Sequence, residues 1–87
     1  MLARHAAVTI DLGTGDGRYV LATAAAEPDR LVIGVDANAA AMVKAARRAA
    51  SRPNRGGLPN ALFVAAAVEA LPAELDGVAD LVTAHFP

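Results

Sequence analysis

The chain has 87 residues, a net charge of −1 and a 55% hydrophobic composition. That length holds one small domain, and the near-neutral charge gives no global affinity for polyanions, so any nucleic-acid surface has to be a local patch. The absence of cysteine excludes a disulfide scaffold, a thiolate nucleophile and a cysteine-ligated zinc site, and fits a reducing compartment.

Much of the apolar content is alanine, and the aromatics are Tyr19, Phe63 and Phe86, so the core is thin for its nominal hydrophobicity. No apolar run approaches the roughly 18 residues of a membrane span. The opening MLARH is not followed by a long apolar segment, so no signal peptide is read and the expected location is the cytoplasm.

In chain order, residues 7–12 (AVTIDL) read as a buried strand and residues 18–26 as a helix stopped by Pro28. Residues 31–36 (LVIGVD) form a second strand. Residues 39–51 form a second helix, with Asn38 or Asp36 as its cap. Residues 52–59 (RPNRGGLP) are a loop by composition. Residues 61–66 (ALFVAA) give a third strand, residues 69–75 a short helix or turn around Pro72, and residues 79–85 (ADLVTAH) a fourth strand. Strands alternating with helices imply βαβ units and a parallel α/β sheet. Their continuous apolar runs suit strands covered on both faces. Four strands would leave the last as an apolar edge, so residues 1–87 read as the ligand-binding half of a single domain, a fragment truncated at the C-terminus and short at the N-terminus too.

The first strand runs into Asp11-Leu12-Gly13-Thr14-Gly15-Asp16-Gly17, and a helix follows. Glycines at alternate positions permit positive φ and the close approach of a ligand to backbone. At the carboxyl end of a parallel strand, this is where open α/β sheets bind ligands; the plain alternative is a tight strand-to-helix turn. The dinucleotide fingerprint G-x-G-x-x-G places its third glycine one position later, where Arg18 stands. The carboxylates of Asp11 and Asp16 would repel a pyrophosphate but suit a ligand carrying an ammonium and a sulfonium, namely S-adenosylmethionine.

Asp36 ends the second strand, and a carboxylate there can accept hydrogen bonds from vicinal ribose hydroxyls; its plain alternative is a helix cap. Ala37 and Asn38 follow it. After the third strand, the small Ala67 and Val68 leave room for an adenine ring, and Glu69 either accepts from an amine or begins a helix.

Lys44, Arg47, Arg48, Arg52 and Arg55 are five cations with no acid between Asp36 and Glu69. If the second helix runs through them, Lys44, Arg48, Arg52 and Arg55 share a face. The stripe could contact RNA phosphates or be a solvated face with favourable C-terminal cations. His5 and His85 make no metal site without a third ligand. Tyr19 and Thr83 read as packing residues.

Together DLGTGDG (11–17), VD (35–36) and AAAVE (65–69) resemble the class I S-adenosylmethionine-dependent methyltransferases. DLGTGDGRYV, GVDANAAAM, RGGLPNALFVAAAVEALP and the terminal HFP are similar to the aminoglycoside-resistance 16S ribosomal RNA adenine-N1 methyltransferases. The resemblance implies a Rossmann-like parallel sheet of about four strands here, in the order 3-2-1-4. It implies S-adenosylmethionine held by Asp11, Gly13, Thr14, Gly15, Asp16, Gly17, Asp36, Ala37, Asn38, Ala67, Val68 and Glu69. It also implies a monomer that docks on the small ribosomal subunit through Lys44, Arg47, Arg48, Arg52 and Arg55. The family's target-base pocket includes tryptophans, and this chain has none. A transfer RNA guanine-N7 methyltransferase, or a non-catalytic adenosine-binding fragment, is the alternative reading.

Overall fold

The computed structural model describes residues 7–67 and 81–84. The elements are β1 (Ala7–Leu12), α1 (Arg18–Ala26), β2 (Arg30–Asp36), a 3-10 turn (Ala39–Met42), α2 (Val43–Ala50), a second 3-10 turn (Pro53–Arg55), β3 (Ala61–Ala65) and β4 (Leu81–Ala84). The strands form one parallel sheet in the order β3-β2-β1-β4, the class that the sequence pattern implies and the order that the resemblance implies. Val68, Glu69, the element expected at 69–75, His5 and His85 lie outside the described residues.

Register follows side-chain parity. Val8, Ile10 and Leu12 stand opposite Leu31, Ile33 and Val35, and these residues with Leu62 and Ala66 form one apolar cluster. The alternate positions bury Val32 and Ala61 with Val20 and Ala24 of α1 and Ala49 of α2, joined by Leu21, Leu58 and Phe63. Each fully buried Val, Leu or Ile contributes about 1.5–3 kcal/mol relative to exposure, so these few large side chains matter more than the many alanines. Val64 and Val82, on the two outermost described strands, are 40% and 48% exposed. No described helix is long and apolar enough to cross a membrane.

Several boundaries differ from the sequence reading, among them the end of β3 at Ala65 instead of Ala66. β2 begins one residue early, because the Arg30 guanidinium donates to Thr9 Oγ1 at 2.7 Å and draws that residue into register with β1. The second helix is not continuous over 39–51. Its first turn is 3-10, closed by Ala41 N–H on Asn38 O, and packs on β3. The helix stops at Ala50 because Ser51 caps it: the Ser51 amide and hydroxyl both donate to Arg48 O, at 3.2 and 2.7 Å. Pro53 has no amide hydrogen with which to extend the ladder.

The following loop is pinned rather than free. Leu58 N–H donates to Ala49 O and Gly57 N–H to Arg52 O, both at 3.0 Å. A Cβ on Gly57 would collide with the Ser51 carbonyl oxygen, so a side chain there is incompatible with this path. Asn60, 5% exposed, then ties three elements together. Its Nδ2 donates to Ala24 O, Glu27 O and Arg30 O at 3.0, 3.1 and 2.8 Å, which joins the end of α1 and the start of β2 to the approach of β3.

Candidate functional site

The glycine loop leaves β1 while still paired to β2. The amides of Gly13 and Thr14 both donate to Val35 O, at 2.8 and 3.0 Å, and Gly17 N–H closes a turn on Thr14 O. Gly13, Gly15 and Gly17 all have positive φ (69°, 60° and 77°), a conformation that favours glycine. Their surroundings separate their tasks. A Cβ on Gly15 would meet nothing within 4 Å, whereas a Cβ on Gly17 would lie 2.6 Å from Phe63 Cε1 and 2.8 Å from Ala45 Cβ. Gly15 therefore opens a cradle, and Gly17 lets the Phe63 ring and α2 close in under the loop.

Asp36 closes the loop from the other side. Its Oδ2 accepts from the Gly15 amide at 2.9 Å and its Oδ1 from the Asn38 amide at 2.8 Å. The Asn38 amide, and then the Gly15 amide, hold its carboxyl below the usual carboxylate range against a small opposing effect of burial. An ionised carboxylate has about four acceptor positions, so two amides leave capacity for hydroxyl donors. Asp36 also accepts at its main chain, from Ala66 N–H at 3.1 Å. This brings the segment with half-buried Ala67 beside the cradle.

The other loop residues fall into different environments. Thr14 is 7% exposed, and its hydroxyl has no hydrogen-bond partner among the described residues. Asp16 is exposed and engaged with Arg18, accepting from its amide at 3.1 Å and its guanidinium at 3.3 Å. Ala37 and Asn38 are exposed. Asp11 is 0% exposed, and its Oδ1 accepts from Thr83 Oγ1 at 2.7 Å. The sequence reading counted Thr83 as packing. No one-dimensional signal connects two residues 72 positions apart; only the β1–β4 register does.

The basic residues do not form a single helical stripe. Lys44 and Arg48 line a groove of about 360 Å³ between α1 and α2, with Asp16, Arg18, Leu21, Ala41 and Ala45. Arg47 is exposed on α2 outside that groove. Because α2 ends at Ala50, Arg52 and Arg55 lie in the pinned loop, which folds back so that Gly56 sits beside the Arg48 guanidinium.

The residues at the cradle fit an adenosyl ligand. A glycine open to solvent-side space, a buried hydroxyl with no described partner, and a carboxylate with spare acceptor capacity supply a backbone approach and polar groups for a ribose.

Comparison with known proteins gives consistent relatives. Residues 1–87 match the family model described as "NpmA: 16S rRNA (adenine(1408)-N(1))-methyltransferase". The 16S rRNA (adenine(1408)-N(1))-methyltransferase of Streptoalloteichus tenebrarius is 45% identical over 74 residues, covering 85% of this chain and 34% of that protein. The crystal structure of the aminoglycoside resistance methyltransferase NpmB1 is 53% identical with a TM-score of 0.92, over 99% of this chain and 42% of that one. A variant of the 16S rRNA (adenine(1408)-N(1))-methyltransferase from Catenulisporales acidiphilia, solved with the cosubstrate SAM, is 43% identical with a TM-score of 0.92, over 99% of this chain and 42% of that one. A tRNA (guanine-N(7)-)-methyltransferase of Chloroflexus aggregans is more distant, 33% identical over 88 residues, spanning all of this chain and 38% of that protein. The chain spans about a third of the length of the curated relatives it matches.

Proposed function

The chain belongs to the 16S rRNA (adenine(1408)-N(1))-methyltransferase family, and on that premise we propose that it forms the cofactor-binding part of an enzyme that methylates an adenine ring nitrogen of 16S ribosomal RNA with S-adenosylmethionine. The observation that carries this reading is the cradle at Gly15, open on one side and fixed on the other by the Gly15 amide on Asp36.

In this reading the backbone at Gly13 and Gly15 admits the ligand, and the Thr14 hydroxyl gains a partner. The spare lone pairs of Asp36 accept from the ribose hydroxyls. Ala67 and Val68 flank the base, and Glu69, Ala37 and Asn38 complete the rim. Asp16 lies at the mouth of the cradle, and Gly17 keeps the loop seated on Phe63. Asp11 acts from inside the sheet by its charge. When bound, S-adenosylmethionine supplies a sulfonium-borne methyl group for in-line displacement. Such a transfer depends on positioning more than on a strong base.

Lys44, Arg47, Arg48, Arg52 and Arg55 provide the phosphate-facing surface for the small ribosomal subunit. The pinned loop holds Arg52 and Arg55 in a fixed relation to Arg48, which lowers the ordering cost of docking. A protein acting this way works in the cytoplasm, as a monomer, and its product ribosomes resist aminoglycosides.

Calorimetric titration of the chain with S-adenosylmethionine and with NAD tests the cofactor reading. We expect binding of the first and none of the second; the reverse result would overturn it. Methyl transfer to isolated small subunits then separates the enzyme from a second reading, a non-catalytic adenosine-binding unit. Cofactor binding without turnover supports that second reading.

A further inference from the structure

The sheet order β3-β2-β1-β4 reverses at β1, with β2 on one side and β4 on the other. The crevice outside the carboxyl ends at such a reversal is the preferred ligand position in open parallel sheets. Asp11 of β1 and Thr83 of β4 are register partners beside that crevice. Asp11 is fully buried and Thr83 half-buried, and the hydroxyl donates to the carboxylate at 2.7 Å.

This bond has two chemical consequences. A buried carboxylate is costly unless it is hydrogen-bonded, and a hydroxyl donor to an ionised acceptor is among the stronger hydrogen bonds. A threonine hydroxyl has one proton. With that proton committed to Asp11, Thr83 Oγ1 has only acceptor capacity left for a ligand. The pair thus offers a fixed negative charge and an acceptor oxygen, which complement a cationic hydrogen-bond donor and disfavour a phosphate.

We propose that Thr83 is a positioning residue: it fixes the Asp11 carboxylate at the β1–β4 crevice and so sets the preference of the site for the ammonium-bearing amino-acid arm of an adenosyl ligand. This inference rests on the cofactor reading above, and it adds a residue and a specificity to it.

The test compares two adenosyl ligands that differ in the arm alone. S-adenosylhomocysteine carries the amino-acid arm, and 5′-methylthioadenosine lacks it. Both are titrated calorimetrically into the unsubstituted chain, Thr83→Val and Thr83→Ser, with folding of each checked by circular dichroism. We expect Thr83→Val to weaken S-adenosylhomocysteine on the order of ten-fold and to leave 5′-methylthioadenosine within about two-fold. Thr83→Ser, which keeps the hydroxyl, should restore the preference. An unchanged ratio of the two affinities in Thr83→Val would overturn the proposal, whether both ligands weaken together or neither does. So would loss of folding in Thr83→Val, which would make the hydroxyl a determinant of the fold. If the unsubstituted chain binds neither ligand, the cofactor reading itself fails, and that failure is visible before any variant is made.

Discussion

The Gly15 amide donates to Asp36 Oδ2 at 2.9 Å, so the glycine loop of the first crossover is fastened to the carboxyl end of the second strand. Asp36 is thus both part of the candidate ribose site and the clasp that shapes the cradle. Replacing it removes both contributions. We expect Asp36→Ala to weaken S-adenosylmethionine binding by about 1–3 kcal/mol. Asp36→Asn, which keeps one carbonyl acceptor, should lose less. Calorimetry on the two variants checks the order.

The same carboxylate carries a pH dependence. Its pKa is lowered in the folded chain by the Asn38 amide and then the Gly15 amide. A group with a depressed pKa contributes stability above its unfolded value, about 3.9 for Asp, and loses that contribution as pH falls through the folded value. The Asp36 contribution should therefore be constant at neutral pH and decline below about pH 4. Thermal melting from pH 7 to pH 3 should show a shallower acid limb in Asp36→Asn than in the unsubstituted chain.

Gly15 and Gly17 should respond differently to the same substitution. Gly15→Ala meets no neighbour but places a methyl group in the cradle and strains a φ of 60°. We expect lost cofactor affinity with the fold retained. Gly17→Ala drives a methyl group into Phe63 and Ala45, an overpacking that costs about 1–3 kcal/mol. Urea unfolding and ligand titration on both variants should give opposite patterns.

Asn60 has two amide protons for three carbonyls, those of Ala24, Glu27 and Arg30. Asn60→Ala removes the donor from the buried Ala24 carbonyl, while Glu27 O keeps the Arg30 amide, and the loss should cost about 1–3 kcal/mol. Denaturant unfolding should show the loss, and a midpoint equal to that of the unsubstituted chain would remove Asn60 from its joining role.

The basic surface is tested by salt. If Lys44, Arg47 and Arg48 contact phosphates, each alanine substitution should weaken RNA binding and reduce the dependence of log affinity on log salt by about 0.7–1. Unchanged slopes would return these residues to a solvated helix face.

The sequence by itself determined the parallel α/β architecture and the position of the loop. Both are local signals: short apolar runs bounded by breakers, and three glycines between a strand and a helix. It also carried Asp36, because an acid at the end of a second strand is recognisable by position alone. Tertiary structure decided what each glycine does, since Gly15 and Gly17 look alike in one dimension and differ only in whether Phe63 and Ala45 stand behind them. It ended α2 at Ala50, where Ser51 and the returning loop satisfy the carbonyls of Arg48 and Ala49, and it pinned the loop in which composition had already placed Arg52 and Arg55. It turned Thr83 from a packing residue into the donor for Asp11. The physical reason is shared by the glycines and Thr83. Hydrogen bonds and close contacts between residues far apart in the chain depend on which strands lie side by side, and periodicity along the chain does not contain that adjacency.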